Sequence, residues 1–207
     1  MSTYDKHIKI ALIGDAFSGK STFTKRICYD EKDVIYNTTI GIDTSLLFMN
    51  HNDKYYKIQF FDTTGHLNFI KIVRCYYKGC DAYILFFDIT NRSSFEHIKF
   101  WLNDIEEHLP PNIDETRPLI IPKILIGTKP DIRYTNHNFV TYEEAKDFAD
   151  TFGLHYYEIS CINDELNTLK KIIRNTLDEI NINNIKDKSK TTKSRYNCCT
   201  TQWCNIT

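Results

Sequence analysis

The segment Gly14-Asp15-Ala16-Phe17-Ser18-Gly19-Lys20-Ser21 follows directly on the apolar run Ile8-Lys9-Ile10-Ala11-Leu12-Ile13. It fits the pattern G-x-x-x-x-G-K-S/T in the strand-then-helix setting that pattern requires. A polyphosphate is held by a concave row of unhindered backbone N–H donors at the positive end of a helix, by an ammonium on its β/γ oxygens, and by a hydroxyl on Mg²⁺. Gly14, Gly19, Lys20 and Ser21 supply these parts in order, with Asp15, Ala16, Phe17 and Ser18 forming the wall of the loop. The pattern implies a nucleotide-binding chain.

The 207 residues, 42% of them hydrophobic, leave room for one well-cored domain and a tail, and a net charge of −1 gives no sign of nucleic-acid binding. No stretch approaches the roughly 18 apolar residues that span a bilayer, and the amino terminus lacks the apolar core of a signal peptide. A cytosolic domain is expected. Cys28, Cys75, Cys80 and Cys161 are scattered without a C-x-x-C pair, which fits reduced structural thiols, whereas Cys198, Cys199 and Cys204 crowd into the last ten residues.

Short apolar runs alternate with longer helical patterns, which predicts an α/β fold with a six-stranded, mostly parallel sheet and helices on both faces. Strands are expected near 6–13, 44–50, 54–61, 82–88, 122–127 and 154–159, and helices near 20–28, 68–77, 92–108, 141–152 and 163–180. His51-Asn52-Asp53 is a polar turn that makes the second and third strands an antiparallel hairpin at one edge. The proline-punctuated stretch from Pro110 to Pro122 reads as a surface loop. A domain over residues 1–180 and a flexible basic tail over 181–207 follow from the loss of pattern after about residue 181.

Ligands of such sheets sit beyond the carboxyl ends of the strands. Asp62-Thr63-Thr64-Gly65 follows the strand Lys57 to Phe61, putting a carboxylate within reach of the outer shell of Mg²⁺ and a small backbone at the γ-phosphate. Thr128-Lys129-Pro130-Asp131 follows Ile124 to Gly127. There a buried Asp131 carboxylate would accept from guanine N1–H and N2–H₂ together, while the Lys129 stem covers the ring. Adenine lacks that donor pair, so selectivity for guanine is expected.

The order and spacing of these three segments resemble the Ras-like small GTPases, and further stretches over residues 6–180 resemble the Rab branch. These are Thr39-Ile40-Gly41-Ile42-Asp43 in switch I, Cys75-Tyr76-Tyr77-Lys78-Gly79 after switch II, and Phe86-Phe87-Asp88-Ile89-Thr90-Asn91 with Ser94-Phe95. The resemblance implies a P-loop NTPase G domain that binds GTP and GDP with Mg²⁺. It implies that Ser21 and Thr39 ligate the ion with Asp62, that Thr39 also contacts the γ-phosphate, and that Tyr36 lies over the phosphates. Ser160-Cys161 matches the family's Ser-Ala, whose second N–H reads guanine O6. Implied partners are an exchange factor, an activating protein and effectors at the switch regions.

Several residues depart from that pattern. Thr128 stands for the family's Asn, which lowers the expected nucleotide affinity, and Ile162 stands for a Lys, which removes a polar contact and some order from its loop. His66 stands where the family places the glutamine that orients the attacking water. A neutral imidazole cannot present a donor and an acceptor as a carboxamide does, so slow intrinsic hydrolysis is expected. An activating protein can supply the missing group, and a general-base role for His66 is the alternative. Ala16 and Phe17 alter the γ-phosphate surroundings, while Thr44 and Phe61 alter the aromatic cluster beneath the switches.

In the tail, Lys186, Lys188, Lys190, Lys193 and Arg195 precede Cys198-Cys199, and the chain ends Cys204-Asn205-Ile206-Thr207. A basic stretch binds anionic lipid weakly, and stable anchoring needs a lipid chain as well. Prenylation of Cys198 and Cys199 is the family-like reading. Prenylation of Cys204 with acylation of the pair is a second, since the last four residues resemble a C-a-a-X box, and an unmodified tail is a third. The expectation is a Rab-like GTP/GDP switch in membrane or vesicle trafficking, a low-rate GTPase anchored by lipid to the cytosolic face of a membrane with a soluble pool. The rivals are a non-hydrolysing GTP-bound interaction module and a P-loop kinase or ATPase; the last lacks an arginine-rich lid and conflicts with Asp131.

Overall fold

The computed structural model describes residues 4–32, 39, 41–109, 121–135 and 138–197, the last fifteen of them through the backbone. Six strands, β1 (Lys6–Gly14), β2 (Ile42–His51), β3 (Lys54–Thr63), β4 (Ala82–Asp88), β5 (Lys123–Thr128) and β6 (His155–Ile159), form one sheet in the order β2-β3-β1-β4-β5-β6. Only the β2–β3 pairing is antiparallel. The predicted fold class is the observed one.

The pattern of side chains explains which strands lie inside. In β1, Ile8, Ile10 and Leu12 enter the core on one face while Ala11 and Ile13 enter it on the other. Such a strand must be covered on both sides, as parallel strands are. In β2, Ser45, Leu47 and Met49 are buried whereas Leu46 and Phe48 are exposed, the alternation of an edge strand with one wet face. One face of the sheet carries α1 (Lys20–Tyr29) and α6 (Leu166–Asn197); the other carries α2 (Ile70–Cys75), α3 (Arg92–Glu96), α4 (Ile98–His108) and α5 (Tyr142–Thr151). Buried Ile98, Trp101, Leu102 and Ile105 recur at helical spacing along α4, and Leu169, Ile172, Ile173, Leu177 and Ile180 do so along α6.

The hairpin turn is Asn52-Asp53, with φ of 47° and 58° at the two residues. Two successive left-handed residues make the turn whose twist matches that of paired strands, and Asn and Asp bear this conformation better than other non-glycine residues. The far end of the hairpin is clasped by α6. His51 Nε2 lies 2.7 Å from Asp178 Oδ1, Asn52 Nδ2 donates to the same oxygen at 3.0 Å, and Asn181 Nδ2 donates to the Tyr56 hydroxyl at 3.0 Å.

Three elements differ from expectation. The helix expected over 92–108 is two helices that meet at His97, whose ring is drawn to the phosphate loop. The helix expected over 68–77 begins as a 3₁₀ turn, Leu67–Phe69, and ends at Cys75. Helix α6 runs beyond the predicted 180 to Asn197. Ile180 is its last buried side chain among the described residues, but no Gly or Pro follows in the sequence to end the helix, and a packed helix extends more readily than a new one nucleates. Tyr36, most of the proline-punctuated loop, and Cys198, Cys199 and Cys204 lie outside the described residues.

Candidate functional site

The phosphate loop leaves β1 at Gly14 and enters α1 at Lys20. A Cβ on Gly14, which has φ of 136°, would lie 2.1 Å from the Phe86 carbonyl oxygen, so only glycine lets the loop leave alongside β4. Phe17 adopts φ of 63° with 59% of its surface exposed. A bulky left-handed residue is strained by roughly 1–2 kcal/mol, and a ring left mostly exposed offsets only part of that through burial.

Lys20 is buried, and its Nζ donates to the carbonyls of Gly14 at 2.8 Å and Asp15 at 2.7 Å. Burial pushes its ammonium down to about 8, against the pull of Asp62 and Asp15. The Ser21 and Thr39 hydroxyls are 3.0 Å apart. Beside them Asp62 is buried, and its Oδ1 has no hydrogen-bond partner among the described residues. Burial raises the Asp62 carboxyl above the usual carboxylate range, while the Ser21 hydrogen bond and Lys20 pull the other way. Two hydroxyls and a carboxylate with an unsatisfied oxygen are the hard donor set that suits Mg²⁺. Gly65 lies against the loop so closely that a Cβ there would sit 1.9 Å from the Ala16 nitrogen. His66, next in sequence, is exposed, and its ring makes no hydrogen bond among the described residues.

Asp15 turns away from the loop's concave side. Its Oδ1 accepts from Trp101 Nε1 at 2.8 Å and its Oδ2 lies 2.6 Å from His97 Nδ1, so the carboxylate moors the phosphate loop to α4. Trp101→Phe removes one charge-assisted bond and keeps most of the ring. We expect a loss of about 1.5 kcal/mol, read as a lowered urea midpoint with an unchanged slope.

The base-side residues line one cavity of about 150 Å³ formed by Gly19, Thr128, Lys129, Asp131, Ser160 and Cys161. Thr22, Ile132 and Ile162 complete the wall, and of these Thr22 and Ile132 carried no signal in the sequence. Thr128 is buried, and its Oγ1 lies 2.9 Å from the Ser18 carbonyl and 3.1 Å from that of Phe87. Lys129 is left-handed, with φ of 64°, and its Nζ donates to Asp88 Oδ2 at 2.6 Å. Asp131 is exposed. The buried carboxylate assumed from sequence is therefore a rim carboxylate that only a bound base would cover. Cys161 is buried, and desolvation pushes its thiol up to about 12. The turn after β6, expected to lose order with Ile162, is closed by Asp164: its carboxylate accepts from Ser160 N–H at 3.0 Å, and its own N–H donates to the Ser160 carbonyl at 3.0 Å.

A family model described as the Ras family matches residues 9–182. "Ras-related protein RABD2a" of Arabidopsis thaliana is 34% identical over 157 residues, 76% of this chain and 72% of its own length. "GTP-binding protein YPTM2" of Zea mays is 35% identical over 160 residues, 77% of this chain and 74% of its own. "GTP-binding protein yptV2" of Volvox carteri is 35% identical over 157 residues, 76% of this chain and 68% of its own. With the phosphate loop, the paired hydroxyls and the base-side cavity at one edge of this sheet, the chain belongs to the Ras family, among its Rab-related GTPases.

Proposed function

We propose that the chain is a guanine-nucleotide switch of the Rab type that hydrolyses GTP slowly and works in trafficking at the cytosolic face of a membrane. The observation that carries this reading is the buried, unpartnered Asp62 oxygen beside the Ser21–Thr39 hydroxyl pair, next to Lys20. A carboxylate left unsatisfied in the interior is costly, and a phosphate-bound dication would satisfy it. The wording "GTP-binding protein" in the names of the maize and Volvox relatives supports the same ligand. Calorimetric titration of the full chain with GDP in the presence of Mg²⁺ tests it: micromolar or tighter binding is expected, and no heat with either GDP or GTP refutes it.

When bound, Mg²⁺ supplies positive charge to the β/γ oxygens. Ser21, Thr39 and Asp62 would hold it. Lys20 would turn its protons from the Gly14 and Asp15 carbonyls to phosphate oxygens, and the Gly65 N–H would meet the γ-phosphate. Because Thr39 belongs to switch I, its contact with the triphosphate would order that segment and couple nucleotide state to partner binding. Exchange factors, activating proteins and effectors would act there. The division into a G domain over 1–180 and an anchoring tail, with lipid on Cys198 and Cys199 or on Cys204, belongs to the same reading. Among the described residues no helix is long and apolar enough to cross a membrane. Mass spectrometry of the native carboxyl terminus reads lipid number and attachment site directly.

A second reading, a GTP-bound interaction module without turnover, is favoured by the exposed His66 ring and the strained Phe17. Single-turnover hydrolysis separates the two. Under the switch reading His66→Gln raises the intrinsic rate on the order of tenfold, about one hydrogen bond's worth of barrier. No turnover in wild type or variant, with or without an activating protein, leaves the binding module.

A further inference from the structure

The peptide between Asp15 and Ala16 is gripped in three ways. Its carbonyl accepts from Lys20 Nζ at 2.7 Å and from Ser18 N–H at 3.3 Å, which holds it within the bend of the phosphate loop. Gly65 rests directly on it: a Cβ there would lie 2.1 Å from the Asp15 carbonyl carbon and 1.9 Å from the Ala16 nitrogen. The third grip is the Asp15 side chain, which has a ring nitrogen at each carboxylate oxygen.

Both nitrogens come from one turn of α4. His97 and Trp101 are four residues apart, so they stand one above the other on the same helix face. Trp101 Nε1 donates to Oδ1 at 2.8 Å, and because a carboxylate only accepts, His97 Nδ1, 2.6 Å from Oδ2, carries the proton there. The Trp101 ring is fully buried, and a close-packed ring cannot follow a loop that shifts. With both oxygens bonded, the torsions of Asp15 are fixed, and with them the tilt of its peptide. Lys20 serves a diphosphate and a triphosphate alike. Gly65 does not: its N–H has the γ-phosphate to meet, which GDP lacks. A hydrogen bond weakens steeply as its angle is lost, so a tilting seat under Gly65 is felt by GTP and hardly by GDP.

We propose that His97 and Trp101 are positioning residues for the γ-phosphate: acting through the Asp15 carboxylate, they hold the seat of Gly65 and so set the preference for GTP over GDP. This rests on the guanine-nucleotide reading above. Charge alone gives the opposite expectation. A carboxylate near a polyphosphate repels the more highly charged triphosphate more strongly, so removing Asp15 for its charge would raise that preference.

The test is the affinity for a non-hydrolysable GTP analogue relative to that for GDP, measured on the full chain with Mg²⁺ by displacement of one fluorescent guanine nucleotide. Asp15→Ala is expected to lower this ratio about tenfold, the worth of one hydrogen bond to a charged group, with the loss in the analogue. His97→Ala combined with Trp101→Phe is expected to lower it as much. Asp15→Asn, whose amide can accept from Trp101 and donate to the other tautomer of His97, should keep the wild-type ratio or exceed it. Adding His97→Ala to Asp15→Ala should change the ratio by less than about twofold, since residues acting through one group are not additive. The His97 side chain is 47% exposed, so His97→Ala leaves the core untouched and by itself should lower the ratio about threefold. An unchanged ratio in Asp15→Ala overturns the proposal; should that variant fail to fold, an unchanged ratio in His97→Ala does so. Equal weakening of both nucleotides, the mark of a merely structural role, overturns it too, as does a His97→Ala effect that persists without Asp15. A wild-type chain that binds neither nucleotide removes the guanine-nucleotide reading and this inference together, whereas the other adverse results remove the inference alone.

Discussion

Replacing Lys20 with alanine is expected to weaken binding of both GDP and GTP by two to three orders of magnitude, measured by calorimetry with Mg²⁺ present. Each charge-assisted hydrogen bond contributes about 1.5–3 kcal/mol, and the buried ammonium has two or more phosphate oxygens to meet. Part of this is offset because the same protons already serve the Gly14 and Asp15 carbonyls in the free protein. The pH profile carries a signature of the same group. Burial holds the Lys20 ammonium near 8, and only its charged form answers phosphate. A bound anion raises that value, so binding takes up a proton above it. Affinity should therefore fall as pH rises through about 8, and the Lys20→Ala chain should lose that slope. Unchanged affinity in the variant would remove Lys20 from the site.

Asp131→Ala is expected to cost GDP about 100-fold in affinity and to reduce the preference for GDP over ADP to within about tenfold. A rim carboxylate costs little while it is wet, and Asp131 is exposed in the free protein. Once a base covers it, two guanine donors would be left facing a methyl group, and buried unpaired donors are penalised more than lost contacts. The adenine nucleotide, which never used that carboxylate, should change little. Competition of GDP and ADP against one fluorescent probe measures both numbers. A variant that keeps its guanine preference would show that the base is read elsewhere.

Much of this site is legible in the sequence because its parts are local. The loop from Gly14 to Ser21, the Asp62–Gly65 turn and the Thr128–Asp131 turn each follow an apolar strand, and a parallel sheet brings strand ends to one edge. What stayed hidden depends on partners distant in the chain. Asp15 reads as one more loop residue, yet its carboxylate is engaged by His97 and Trp101, more than eighty positions away. The break at His97 belongs to the same contact and leaves no mark in the apolar period of the segment. Thr128 could be seen to lack an amide, but the direction of its one proton follows from where the Ser18 and Phe87 carbonyls lie. The length of α6 escaped for the opposite reason: the apolar pattern fades after about residue 181, but with no Gly or Pro to break it the helical backbone continues to Asn197.

Because side chains alternate between the faces of a strand, β2 and β3 could advance along β1 only in steps of two residues, about 6.6 Å, without turning their apolar row outward. A step of that size would tear His51 and Asn52 from Asp178 and Tyr56 from Asn181. The clasp works as a stop against travel of the ribbon. Under the switch reading, rearrangement on nucleotide exchange would be confined to the end of the ribbon nearest the ligand, while α6 leads away from the clasp toward the carboxyl terminus.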